Sequence, residues 1–194
     1  MSENTDEQLL QQYSKGNNKA FETLYARYRK PVYHYFYRQV STSASADELH
    51  QDVWLKVIKS CTQFKQQASF KTWLFKIAHN TLVDFYRSSS QRGHLQLVTE
   101  TEESGNLPIL ETEPLEKELQ NRQIQDIILK GIESLPHEQK EVFLLYEKSG
   151  LSLEDIARIT QSSFESTKSR LRYASQKLRR HLAQHLGVKL GVKL

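Results

Sequence analysis

Cysteine is nearly absent: the 194-residue chain holds one, Cys61. A single thiol excludes an intramolecular disulfide, and no Cys/His cluster has zinc-site spacing. A reducing compartment is the expectation. Glycine (7) and proline (4) are also scarce, and no alternating strand pattern persists, which argues against a β-rich fold. No apolar run approaches the ~20 residues that span a bilayer. The N-terminus MSENTDEQ is polar and acidic, unlike a signal peptide. A cytoplasmic protein without membrane insertion is expected. There is no P-loop, no G-x-S-x-G and no carboxylate cluster. His34, His50, His79, His94, His137, His181 and His185 are scattered without partner spacing. No catalytic site, metal or cofactor is therefore expected.

What the chain does have is helical periodicity and unevenly spread charge. The net charge is +4. Residues 1–90 carry 12 Lys/Arg against 8 Asp/Glu, residues 91–118 carry 2 against 7, and residues 119–194 carry 13 against 8. Two basic blocks joined by an acidic strip suggest two anion-binding domains and a connector of different character.

Apolar spacing predicts short helices over residues 5–15, 20–39, 46–61 and 69–87. Asn17 or Asn18 is placed to cap the second, and Ser69 the fourth. The second is dense in aromatics: Phe21, Tyr25, Tyr28, Tyr33, Tyr35, Phe36 and Tyr37. Ser41–Ser45 and Thr62–Ala68 read as loops. From residue 88 to 115 Ser, Glu, Thr, Gly and Pro dominate and the stripe is lost, which marks a linker. Periodicity resumes with Leu119, Ile124, Ile127, Ile128 and Ile132, breaks at Leu135-Pro136, and returns with Val142–Tyr146 until Gly150. Pro136 suits the first turn of that helix. The fold class expected is all-α: a domain over 1–90, an acidic linker over 91–115, a second domain over 116–186 and a tail over 187–194. The tail repeats GVKL in tandem and receives no function.

The segment Leu151–Arg180 is the most specific. Ser152 with Asp155, and Ser162 with Glu165, are two capping-box start signals ten residues apart. The first helix has the stripe Leu153, Ile156, Ala157 and Ile159. The second packs through Leu171, Ala174, Leu178 and Leu182, and carries Lys168, Arg170, Arg172, Lys177, Arg179 and Arg180. That is the layout of a helix-turn-helix whose second helix enters the DNA major groove.

Larger blocks now fall into order: AFETLYARYRKPVYHYFYR, ADELHQDVWLKV and FKTWLFKIAHNTLVDFYR in the first half, then SLPHEQKEVFLLYEKSGLSLEDIARITQSSFESTKSRLRYASQKLRRHL in the second. Together they resemble the two domains of bacterial RNA polymerase sigma factors of the extracytoplasmic-function (ECF) type, over nearly all of residues 5–186. The resemblance implies several roles. The third helix would dock on the clamp helices of the polymerase largest subunit, with the family's acidic-Leu-x-Gln-acidic pattern on Glu48, Leu49, Gln51 and Asp52. The fourth helix and the preceding loop would read the −10 element and hold the melted non-template strand, through Phe64, Lys71, Trp73, Lys76, Asn80 and Arg87. Cations on the backbone and aromatic faces for flipped bases suit that task. Phe64 and Phe70 offer base contacts but are residues that more often form core, Trp73 falls in the packing pattern with Leu74, Ile77 and Ala78, and Asp84–Arg87 suits an ordinary helix pair.

The recognition helix would read the −35 element, with Ser166, Lys168, Ser169, Arg170 and Arg172 facing DNA. Thr167 and Tyr173 stand where the family has Val and Arg. The first is expected to loosen packing, and the second removes a cation for which Arg172 is placed to compensate. The acidic connector would thread the polymerase active-centre and RNA-exit region, or act as a solvated spacer. The implied partners are core RNA polymerase (clamp helices and the flap of the second-largest subunit), promoter DNA and an anti-sigma factor. Two other classes stay open on the residues alone. One is a free-standing helix-turn-helix regulator of palindromic DNA, and the other is an enzyme acting on nucleic acid.

Overall fold

A computed structural model describes residues 4–65, 67–91 and 115–186. The connector 91–115, its acidic character and the GVKL tail lie almost wholly outside the described residues. Within them the regular structure is helical: α1 (Asp6–Ser14), α2 (Asn18–Tyr37), α3 (Ser43–Ser60), a 3-10 turn (Cys61–Gln63), α4 (Phe70–Gln91), α5 (Leu115–Glu133), α6 (His137–Ser149), α7 (Leu153–Thr160) and α8 (Phe164–Leu186).

Local chemistry explains where these helices start. Thr5 caps α1 in a reciprocal box with Gln8, which satisfies two backbone donors that the helix itself leaves unpaired. Asn17 precedes α2 without a side-chain cap bond. Helix α3 begins three residues before the sequence suggests, because Thr42 accepts the Ser45 N–H at 3.1 Å and draws Ser43–Ser45 into the first turn. The start of α4 is doubly held: Ser69 Oγ accepts from the Thr72 N–H, and the Glu7 carboxylate of α1 accepts from the Phe70 N–H at 2.8 Å. Pro136 sits at the N-cap of α6, one position outside the expected first turn. Gly150 then ends α6 in the left-handed region at φ 58°, a conformation that costs glycine nothing.

Helices α1–α4 pack around Leu10, Leu24, Val32, Phe36, Val53, Val57, Phe70, Leu74, Phe75 and Leu82, all buried. Aromatics supply much of the volume. Trp54 meets Tyr25 and Phe21 edge-on, with ring centroids 4.9 and 5.8 Å apart, and Phe75 meets Tyr35 edge-on. Helices α5–α8 pack around Leu135, Leu144, Leu145, Ile156, Ile159, Ala174 and Leu178. Gly131 lets α5 approach α8: a Cβ there would lie 2.9 Å from the His181 ring. The buried residues of both halves form one continuous cluster, with α7 packed on α4 and α6 on α2.

Phe36 is fully buried at the centre of the first half. Phe36→Ala should cost about 3–5 kcal/mol of unfolding free energy, read as a lower urea midpoint at unchanged slope.

Candidate nucleic-acid interface

The helix-turn-helix forms as its caps require. Ser152 Oγ accepts the Asp155 N–H at 3.1 Å and opens α7. Gln161 ends it in the left-handed region at φ 54°, donating its N–H to Ala157. The cap of α8 differs from expectation: Ser163, not Ser162, accepts the Ser166 N–H at 3.1 Å. Ser162 bonds instead to Thr160 and to Thr167, at 2.9 and 2.8 Å. Thr167, expected to loosen packing, is 0% exposed and tightens it, because its hydroxyl also donates to the Ser163 carbonyl at 3.0 Å. A valine could make neither bond.

Thr167, Ala174 and Leu178 line the inner face of α8, while Lys168 and Arg172 stand exposed on the outer face. Ser166 and Ser169 are half-buried between them. Arg170 is held inside its own half by Glu138, Nη2 to Oε2 at 2.6 Å. The Arg172 guanidinium lies 5.0 Å from the exposed Tyr173 ring. Lys168 and Arg172 thus lie on the outward face of α8, whereas Arg170 is engaged by a carboxylate of α6.

On α4, Phe70 is fully buried and is a core residue. Trp73 and Phe64 are half-buried and meet edge-on at 5.2 Å, so they form the rim of the core beside the loop. Asn80 and Arg87 are exposed, and with His79, Val83 and Asp84 they line a shallow hollow whose far wall is Gln161 of the helix-turn-helix. Lys76 does not point to solvent. Its ammonium donates to the Ile159 carbonyl at 2.6 Å and approaches that of Arg158 at 3.5 Å. Lys71 reaches toward Gly150 at the end of α6.

On α3, Glu48, Gln51 and Asp52 are exposed along one face. Leu49 is a correction: at 3% exposure it belongs to the core and anchors the helix from within. The apolar residues on the outer face are Leu55, 51% exposed, and Ile58. Sequence reading missed both. The available signal was that Leu55 and Ile58 fall outside the stripe Ala46, Leu49, Val53 and Val57.

Comparison with known proteins supplies the family. Residues 24–92 match Sigma-70 region 2 and residues 131–180 match Sigma-70, region 4. The ECF RNA polymerase sigma-E factor of Escherichia coli (strain K12) is 30% identical over 171 residues, 86% of this chain and 88% of that protein. The chain belongs to the ECF family of RNA polymerase sigma factors. The Haemophilus influenzae sigma-E factor is 29% identical over 170 residues, 86% of this chain and 89% of its own length. The fold is shared with the sigma factor RpoE of Bartonella quintana, solved with the anti-sigma factor NepR: TM-score 0.66, 22% identity, 86% of this chain and 99% of that one. Sigma factors are non-catalytic subunits that bind core RNA polymerase and promoter DNA and direct promoter-specific initiation. That removes the enzyme and free-standing-regulator readings.

The sigma factor carries one further cluster that the sequence did not announce. Glu141 of α6, in region 4, is 6% exposed. Its Oε1 accepts from Tyr35 Oη and faces His79 Nδ1, each at 2.6 Å, and both partners come from region 2. Burial pushes the Glu141 pKa up. The His79 hydrogen bond and charge, with the Tyr35 hydroxyl, outweigh it and hold the carboxyl below its ordinary value of 4.5. The same burial and the adjacent carboxylate push the Tyr35 phenol well above 10.0. Tyr86 of α4 meets the His137 ring edge-on at 4.9 Å and extends the contact. Among the described residues no group of three metal-ligating side chains occurs and no helix is long and apolar enough to cross a membrane.

A depressed carboxyl pKa gives stability that is present above pH 4.5 and lost as pH falls through the folded value. Glu141→Gln should therefore lower the unfolding midpoint at pH 7, and the gap from wild type should narrow steadily in denaturation series taken below pH 4.5.

Proposed function

We propose that this sigma factor divides its work among three helices. Helix α3 docks on the polymerase clamp helices through Glu48, Gln51 and Asp52, with Leu55 and Ile58 adding apolar contact. Helix α4, with the loop before it, reads the −10 element and holds the freed non-template strand through Phe64, Lys71, Trp73, Lys76, Asn80 and Arg87. Helix α8 reads the −35 element through Ser166, Lys168, Ser169, Arg170 and Arg172. The segments 1–90 and 116–186 act as the two units and 91–115 joins them, so that binding of one raises the effective concentration of the other. The second unit also engages the polymerase flap. An anti-sigma factor is proposed as the opposing partner, as NepR is for the Bartonella quintana relative, and the site of action is the cytoplasm.

The observation that carries this reading is the sidedness of α8. Thr167, Ala174 and Leu178 are buried while Lys168 and Arg172 face outward from a capped helix-turn-helix. Such a helix can be inserted into a groove without disturbing its own core. The exposed acidic and amide groups on α3 suit a basic helical partner, where charge complementarity sets orientation and association rate.

Reconstituted transcription with core polymerase tests the whole reading. Stimulation is expected on promoters mapped from transcript 5′ ends, and no stimulation on a genome-wide template pool would sink it. Arg170→Ala should lower −35-dependent initiation roughly 5- to 150-fold, the range of one bidentate Arg–guanine contact, while leaving core-polymerase binding intact. With three or four phosphates engaged, −35 duplex affinity should fall on the order of 50-fold between 50 and 200 mM salt, as measured by anisotropy titration.

A further inference from the structure

We propose that Tyr173 is a specificity-determining residue of α8: its ring seats a thymine C5-methyl of the −35 element, and Arg172 braces it. The proposal rests on the assignment of α8 to the −35 element above and names one base type that the helix reads.

The inward face of α8 is set by Thr167, Ala174 and Leu178, all buried. Away from it, Ser166, Ser169, Tyr173 and Gln176 follow one another at three- and four-residue steps and so form one row. Cations run along both sides of that row. Lys168, Arg172 and Arg179 lie on one flank. Arg170 and Lys177 lie on the other, where Arg170 meets Glu138 and Lys177 donates to the Ser134 carbonyl. A helix laid in a major groove turns its flanks to the phosphate walls and its central row to the base edges. The four residues of the central row carry no formal charge, which suits base edges and not phosphates.

Tyr173 is the bulky member of the row, and at 49% it is more exposed than Tyr146 or Phe164. Neighbours in sequence do not face each other on a helix. Arg172 nevertheless folds over Tyr173: its guanidinium lies 5.0 Å from the ring centroid, and Nη2 donates to Tyr173 Oη at 3.4 Å. This cation–π contact restrains the ring before DNA arrives, so little side-chain entropy is lost on binding. The guanidinium has five N–H donors and retains others for a phosphate. Of the four bases, thymine alone presents an apolar group in the major groove, its C5-methyl. The arginine that the family carries at this position would pair instead with guanine O6 and N7 or with phosphate. The exchange to tyrosine therefore moves the preference at the facing base pair from guanine toward thymine.

The test uses the full chain assembled with core polymerase, on a promoter mapped from transcript 5′ ends. Each thymine of the −35 element, on either strand, is replaced in turn by deoxyuridine, which lacks only the C5-methyl. Promoter affinity is measured by anisotropy for wild type, Tyr173→Phe, Tyr173→Ala and Lys168→Ala. At one thymine the replacement should weaken wild type and Tyr173→Phe roughly fourfold, the order expected of one methyl leaving water, and leave Tyr173→Ala unchanged. On the unmodified promoter Tyr173→Ala should itself bind roughly fourfold or more weakly. Tyr173 lies outside the core, and the deoxyuridine series on wild type reads the methyl without any change to the protein. If no −35 thymine methyl matters to wild type, or if its effect survives in Tyr173→Ala, the role of Tyr173 is overturned, and α8 remains assigned where Lys168→Ala binds more weakly. Tyr173→Phe behaving as Tyr173→Ala overturns it too, because the hydroxyl and not the ring would then make the contact. Should neither Lys168→Ala nor any Tyr173 variant change promoter affinity, the assignment of α8 falls and the role of Tyr173 falls with it.

Discussion

A carboxylate from region 4 is buried against region 2, and the arrangement of the two halves turns on it. Glu141 cannot remain ionised in that position without donors, and Tyr35 and His79 supply them at 2.6 Å each. Their geometry fixes α6 against α2 and α4. With α6 so placed, a short turn from Gly150 to the cap at Ser152 leads into α7, which packs on α4. Lys76 then meets the carbonyls of Arg158 and Ile159, and Gln161 reaches the hollow beside Asn80.

Helix α4 consequently serves three structures at once. Its buried face, Phe70, Leu74, Phe75, Ala78 and Leu82, completes the core of region 2. Its N-terminus is held by Ser69 and by Glu7 of α1. Its remaining face carries the cations proposed above for promoter DNA together with the contacts to region 4. A helix with so little free surface makes the face proposed for DNA and the interdomain face overlap.

Much of this was legible in the sequence, and for a common reason. The helices, the breaks at Pro136 and Gly150, and the cap at Ser152 all follow from residues within one or two turns of each other. Lys168 and Arg172 could be placed outward on α8 because Ala174 and Leu178 mark the inward face. Legibility failed where a local pattern had two solutions. Both Ser162 and Ser163 can cap α8, and the bonds of Ser162 to Thr160 and Thr167 decide between them. Leu49 lies within an acidic motif and yet points inward, because the core stripe of α3 runs through it. Leu55 and Ile58 look like core residues by type and stand exposed.

The sequence by itself determined the helices, their caps, the separation of basic from acidic blocks and, through ordered motifs, the family. Each of these depends on residues close in the chain. Only the tertiary structure decided that Tyr35, His79 and Glu141 meet, that Lys76 is occupied and that the two cores merge. Residues 62 and 106 positions apart have no periodicity in common. Their contact is settled by how helices pack, where the burial of one charge selects the donors that must surround it.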